Sequence, residues 1–212
     1  MDGPEPKRQR KPPNMDQCVE AQSFPLPTDG QLLFEPNLSI NGQISSDTLA
    51  FVLGRLAQVR ADGVDLLVEL NTQGGDADVA RRIALEVRLF QRHSGRNAFC
   101  VGKTSVYSAG VTILAAFERE NRYLTDDTVL LVHERRLDES IQLTGPIRSC
   151  LQIVREQLQL LETARELEME GFRELVEGSA LSLEDIYEQA KTNCYLTARE
   201  AEEAGLIGGI LT

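Results

Sequence analysis

The segment Val64-Asp65-Leu66-Leu67-Val68-Glu69-Leu70 constrains this chain more than any other. It is nearly all apolar and of strand length. It leads at once into Asn71-Thr72-Gln73-Gly74-Gly75-Asp76, a run of turn formers. Such a run suits a strand covered on both faces by helices, as in a parallel sheet, better than a strand with one wet face. The flanking segments agree. Leu38-Ser39-Ile40 reads as a strand before the turn Asn41-Gly42, and Ser45-Ser46-Asp47 offers caps to a helix reaching about Arg60, with Leu49, Val52, Leu53, Leu56 and Val59 on one stripe. A second helix over about 77–92 carries Val79, Ile83, Leu85, Val87, Leu89 and Phe90. Residues 97–102 read as another buried strand, 107–117 as a short buried helix, and 122–124 and 128–133 as further strands. Strands alternating with helices predict an α/β fold of repeated right-handed βαβ units around a mostly parallel sheet.

The 212 residues, 42% hydrophobic and 26% charged, supply one globular domain with material for a full core. That domain is expected over 29–212. Residues 1–28 hold most of the prolines, few large apolar residues and the basic cluster Lys7, Arg8, Arg10 and Lys11. Such a segment cannot bury enough surface to offset its ordering entropy, so it reads as a disordered, solvated tail rather than a nucleic-acid or import signal. It has no apolar stretch after its basic run, unlike a secretory leader. No segment approaches the ~18 consecutive apolar residues that cross a bilayer, so no membrane partner is expected. The net charge of −11 argues against nucleic-acid binding through phosphate neutralisation. Cys18, Cys100, Cys150 and Cys194 form no CxxC pair, and with two histidines no metal cluster is in view. They read as reduced thiols of a cytoplasmic protein.

Beyond the sheet the texture changes. Gly145-Pro146 signals a helix start, with Pro near the first position and Thr144 as a cap. From Ile147 to about Glu177 only Gly171 could break the helix. Ile147, Leu151, Val154, Leu158 and Leu161 form one stripe that continues toward Phe172 and Leu175; Ile153, Leu160 and Leu167 form a second. An unbroken helix of ~30 residues spans ~45 Å, longer than a core of this size is wide. Two stripes on such a helix predict a second copy of the chain on its far side. A break at Gly171, folding the helix back on its own subunit, is the alternative. Helices over about 183–191 and 197–204 follow, the last ending at Gly205.

Gly74-Gly75, Ser108 and His133 fall at the carboxyl ends of expected strands, the edge where parallel sheets bind ligands. Taken singly, each has an ordinary structural reading: a tight turn, a helix cap, a strand-end histidine. Their order and context resemble the Clp-type serine peptidases, the ClpP family within the ClpP/crotonase superfamily. In that family a strand–Gly-Gly–helix segment is followed, after one more strand, by a small-residue turn bearing the nucleophilic serine, and about two dozen residues later by a strand-end histidine. Here Val106-Tyr107-Ser108-Ala109-Gly110 and His133 keep that order, 25 positions separating Ser108 from His133. The terminal Cys194-Tyr195-Leu196-Thr197-Ala198-Arg199-Glu200-Ala201 with Gly205-Leu206-Ile207 looks like the family's C-terminal motif. The resemblance runs from Leu38 through Ile210.

It implies a ClpP/crotonase-like fold with a long helical extension, Ser108 as nucleophile, His133 as general base, and the N–H groups of Gly75 and Ala109 as the oxyanion hole, each donor worth ~3 kcal/mol. It also implies a cytoplasmic serine endopeptidase acting on peptides or unfolded polypeptides as a homo-oligomer, without metal or cofactor. The sequence holds no GxxxxGK[ST] loop, so ATP-driven unfolding would come from a separate AAA+ ATPase. Three positions depart from the family pattern. Asn193 aligns with the third catalytic residue, normally Asp, and Asp185 on the preceding helix is a substitute. Gln73 replaces the usual Pro before Gly-Gly, and the helix after His133 is about three turns longer. A crotonase-like acyl-CoA enzyme and a catalytically impaired assembly subunit are the alternative readings.

Overall fold

The structure is a computed structural model that describes residues 26–138 and 140–212. The expected tail therefore lies outside the described residues except for its last three. In chain order the elements are α1 (Asp29–Phe34), β1 (Leu38–Asn41), α2 (Ser46–Asp62), β2 (Leu66–Thr72), α3 (Ala77–His93), β3 (Ala98–Tyr107), α4 (Ala109–Leu114), β4 (Arg122–Thr125), β5 (Val129–Val132), α5 (Ile147–Val176), α6 (Leu183–Ala190), β6 (Cys194–Thr197), α7 (Ala198–Glu203) and β7 (Gly209–Leu211). The sheet order is β1-β2-β3-β4-β7, all parallel. β5 runs parallel to the second half of β3 and pairs antiparallel with β6.

Local chemistry accounts for most boundaries. Ser45 caps α2 with a reciprocal capping box to Thr48, and Gly63 ends the helix at φ 63°, where a residue without Cβ is unstrained. Asp76 caps α3 through Oδ1, which accepts from the N–H groups of Asp78 and Val79. The stripe on α2 is seated as expected, with Val52, Leu56 and Val59 buried, and α3 buries Ile83, Val87 and Phe90.

Several expectations shift. β2 starts two residues late and ends at Thr72, because Val64 stays in the linker after Gly63 and is 45% exposed. β3 does not stop at Gly102. Its register against β2 slips between Leu70 and Thr72, a bulge that includes Thr104 at φ 59°, and the strand resumes through Ser105–Tyr107 beside β5. One strand thus serves two partners, β4 first and β5 after the bulge, and helix α4 begins only at Ala109. The helix after Gly145 has Pro146, not Thr144, at its N-cap, with no side-chain cap. Sequence patterning passed over α1, although Thr28 and Gln31 form a capping box there, and it did not resolve β6 and β7 as strands.

Helix α5 is continuous for 30 residues, so Gly171 does not break it. Only Phe172, Leu175 and Val176 near its C-terminal end are buried. Ile147, Leu151, Val154, Leu158, Leu160 and Leu161 are all more than two-fifths exposed. The buried end is fastened by Arg122. This residue is 4% exposed, and its guanidinium donates to the carbonyls of Phe117, Ala115, Leu175, Leu206 and, more weakly, Glu174. Burial lowers its pKa to about 10, and these acceptors satisfy the charge that remains. Among the described residues, no helix is long and apolar enough to cross a membrane.

Candidate active site

Parallel pairing brings the ends of β2 and β3 side by side, with Thr72 opposite Val106. The Gly-Gly turn after β2 is shaped by Thr72, whose Oγ1 donates to Gly42 O and accepts from the N–H of Gly74. Ile44 then zips onto the turn. Its N–H donates to Gly74 O, and its carbonyl accepts from the N–H of Asp76. A Cβ on Gly75 would stand 2.2 Å from Ile44 O, so only glycine fits, at φ 150°. Both Ile44 bonds go to the neighbours of Gly75, which leaves the N–H of Gly75 on the opposite side of the strand.

On the facing turn, Ser108 adopts φ 55°, ψ −117°, a conformation a residue with a Cβ rarely takes. Its N–H donates to Leu131 O and its carbonyl accepts from Val111, so the turn is held from both sides. Ser108 occupies the N-cap position of α4, yet its side chain makes no capping bond. The hydroxyl is left for other work. A Cβ on Gly74 would lie 2.9 Å from Ser108 Cβ and 3.1 Å from Tyr107 O, and one on Gly110 would lie 2.4 Å from Thr72 Cγ2. The two turns are thus in backbone contact, with glycine at each touching point. Among the described residues, the N–H groups of Gly75 and Ala109 have no protein acceptor, as expected for a turn facing a groove and the first residue of a helix.

Gln73, the departure before Gly-Gly, is tied down. Its Nε2 donates to Ser105 Oγ, which donates to Asn71 Oδ1. Ser105 is thereby a buried brace beneath the turn.

His133 follows the last residue of β5 and shares a groove of about 1090 Å³ with Gly75, Ser108 and Ala109. One wall is α3, with Asp78, Arg82 and Leu85; the other is α5, with Leu160, Leu167 and Phe172. Arg135 reaches across to Asp78 with Nη2–Oδ1 at 2.8 Å. The Nδ1 of His133 lies 2.6 Å from the carbonyl oxygen of its own neighbour, Glu134. No hydrogen bond joins Ser108 to His133 among the described residues.

Asn193 is exposed, at φ 64°, directly after the end of the β5–β6 ladder, where continuing the Val132–Cys194 register would set it opposite His133. Its amide makes no hydrogen bond to the ring among the described residues, and it does not line the groove. Asp185 is committed elsewhere. Its Oδ2 accepts from the N–H and Oγ of Ser182 in the cap of α6, and those bonds hold its carboxyl below the usual range. Burial pushes the thiols of Cys100 and Cys194 up, which suits packing rather than nucleophilic roles. Among the described residues, no group of His, Cys, Asp and Glu could hold a metal ion.

Of the residues named from sequence, Gly75, Ser108, Ala109 and His133 line the groove and Asn193 does not; the Thr72 brace, the Ile44 clasp, the Asp78–Arg135 bridge and the Glu134 carbonyl were not named. Three of these act through backbone atoms or a small side chain, which leave no pattern in sequence. The arrangement offers a hydroxyl, an imidazole and two backbone donors, the set needed for acyl transfer.

Comparison with known proteins points the same way. The Clp protease family model matches residues 28–212. Among solved structures, the chain resembles an Asn-to-Asp mutant of ClpP1 from Listeria monocytogenes, with 22% identity and a TM-score of 0.62 over 85% of this chain and 94% of that one.

Proposed function

We propose that this chain, which belongs to the Clp protease family, is a serine endopeptidase that cleaves peptides or unfolded polypeptides with Ser108 as nucleophile and His133 as general base. The observation that carries this reading is the contact of the Gly74-Gly75 turn with the strained turn of Ser108. It puts a free hydroxyl, two unpaired N–H donors and an imidazole around one groove. The fold also matches a ClpP structure, which supports the architecture on which this chemistry is mounted.

In the proposed reaction, the scissile carbonyl lies in the groove with its oxygen toward the N–H groups of Gly75 and Ala109. Ser108 Oγ attacks the carbonyl carbon and its proton passes to His133 Nε2. The tetrahedral oxyanion is stabilised by the two backbone donors, which the turns hold in place before charge develops. The imidazolium returns the proton to the leaving amine, giving an acyl-enzyme on Ser108, and water activated by the same ring releases the acid. Because Ser108 and His133 are not hydrogen-bonded in this single chain, substrate or a neighbouring subunit completes the approach. Such catalytic bonds commonly tighten only in the Michaelis complex. Ser108→Ala abolishes hydrolysis of an unstructured peptide while the circular dichroism spectrum is unchanged. Residual turnover in that variant would contradict the assignment.

The proposed working form is a cytoplasmic homo-oligomer of at least three subunits with α5 in the contact. The exposed leucine-rich stripe over Ile147–Leu161 is an apolar patch of the kind that monomers rarely leave facing water. Light scattering should return at least three times the 23.5 kDa chain mass. A monomer at micromolar concentration would overturn the oligomer. Supply of unfolded chains by a separate AAA+ ATPase fits this scheme, and the reaction as written uses no metal or cofactor.

A further inference from the structure

The peptide unit between Glu134 and Arg135 is held at both ends. Its carbonyl oxygen lies 2.6 Å from His133 Nδ1, and its N–H donates to Glu168 Oε2 on α5. A carbonyl oxygen can only accept, so Nδ1 carries the proton and the lone pair of the neutral ring sits on Nε2, where a base for Ser108 needs it. The carboxylate at the N–H end polarises the peptide and strengthens its carbonyl as an acceptor, since hydrogen bonds in series reinforce one another. The chain of contacts therefore runs from a carboxylate, through one peptide, to an imidazole N–H. The side chain of Arg135 also reaches α3, where it pairs with the largely exposed Asp78. Asn193, the residue aligned with the usual third member, is exposed and makes no bond to the ring.

We propose that Glu168 is a positioning residue for His133, acting through the Glu134–Arg135 peptide in place of the carboxylate that Asn193 cannot supply. It touches neither substrate nor the reacting atoms. It fixes the plane of the ring and selects the Nδ1–H tautomer, and during turnover its charge, relayed through the peptide dipole, favours the imidazolium. The proposal rests on the peptidase reading of Ser108 and His133. It ties the base to α5, the helix proposed to make the subunit contact.

The test uses the full chain with His93→Asn, which leaves His133 as the only imidazole and removes an exposed side chain outside the groove. Imidazole nitrogen shifts at alkaline pH report the tautomer of the neutral ring. Peptide hydrolysis gives kcat and KM. The parent shows the Nδ1–H form. Glu168→Ala moves the ring toward the Nε2–H form and lowers kcat about tenfold or more with KM changed less than twofold, in the direction known for a triad that loses its orienting acceptor. Glu168→Gln, which keeps an acceptor for the Arg135 N–H, retains the tautomer and loses less. In an Asn193→Asp background, where a new carboxylate can accept from Nδ1–H, Glu168→Ala costs less than twofold. An unchanged tautomer in Glu168→Ala, or an equal loss with and without Asn193→Asp, would overturn the proposal. If the parent cleaves no peptide, the peptidase reading fails by itself, and the tautomer shift still decides whether Glu168 holds the ring.

Discussion

The two sides of the groove are built by different means. The serine side lies inside the parallel sheet and is fixed by backbone. Gly74 abuts Ser108, Gly75 is pinned by Ile44, Gly110 sits on Thr72, and Ser108 hangs by its N–H from Leu131. The histidine side lies at the end of the short β5–β6 arm and is fixed by side chains and a loop. Its contacts are the Glu134 carbonyl, the Glu168 carboxylate and the Arg135–Asp78 bridge. Close-packed backbone has one arrangement, whereas long side chains from α3 and α5 have several. The difference teaches that the proposed nucleophile and oxyanion donors are preorganised by backbone packing, while the proposed base is set by side chains reaching from α3 and α5. Control of activity, through assembly or substrate, would act on the histidine side.

The comparison is broken most severely at Gly75. A methyl group there must displace Ile44 O from 2.2 Å and also accept φ 150°. Gly75→Ala should therefore lower kcat/KM by at least about 10²-fold through the loss of one proposed oxyanion donor. The measurement is steady-state hydrolysis alongside the melting temperature. Activity within a few-fold of the parent would mean that the serine side is not tightly determined.

On the histidine side the expected effect is smaller and of opposite sign. Asn193→Asp, next in register to His133, offers a carboxylate that can orient Nδ1–H and stabilise the imidazolium. Hydrolysis at neutral pH rises by about tenfold, with the oligomer unchanged, consistent with the weight of a triad carboxylate. Asn193→Ala lowers what activity there is only if the amide itself orients the ring. An inert Asn193→Asp would show that position 193 does not face the base.

The same contrast governs how much could be read from sequence. The serine side was legible because its constraints fall on residue types. A glycine pair after an apolar strand and, one strand later, a serine followed by Ala109-Gly110 keep the order that resembles the Clp family, and the run over 64–70 suits the α/β alternation. The bulge at Thr104 was not legible. The decision of β3 to leave β4 and join β5 depends on long-range pairing that no local pattern encodes. α5 could be placed by its stripes, but not its continuity through Gly171, because a glycine in a long helix costs only about 1 kcal/mol and thirty residues of hydrogen bonds outweigh it. Arg122 reads as an ordinary charged residue, and only the folded chain shows that it collects carbonyls from the segment just after α4, from α5 and from the turn before β7. The role of Glu134 is carried by a backbone oxygen, which any residue would supply.

The central claim is that the strained turn at Ser108 presents an activated nucleophile. It is tested most directly by treating the intact protein with a fluorophosphonate probe and locating the adduct by peptide mass spectrometry. The account predicts a single adduct on Ser108, lost in His133→Ala, with the buried Ser105 unmodified. An unlabelled protein, or an adduct on any other serine, would contradict it.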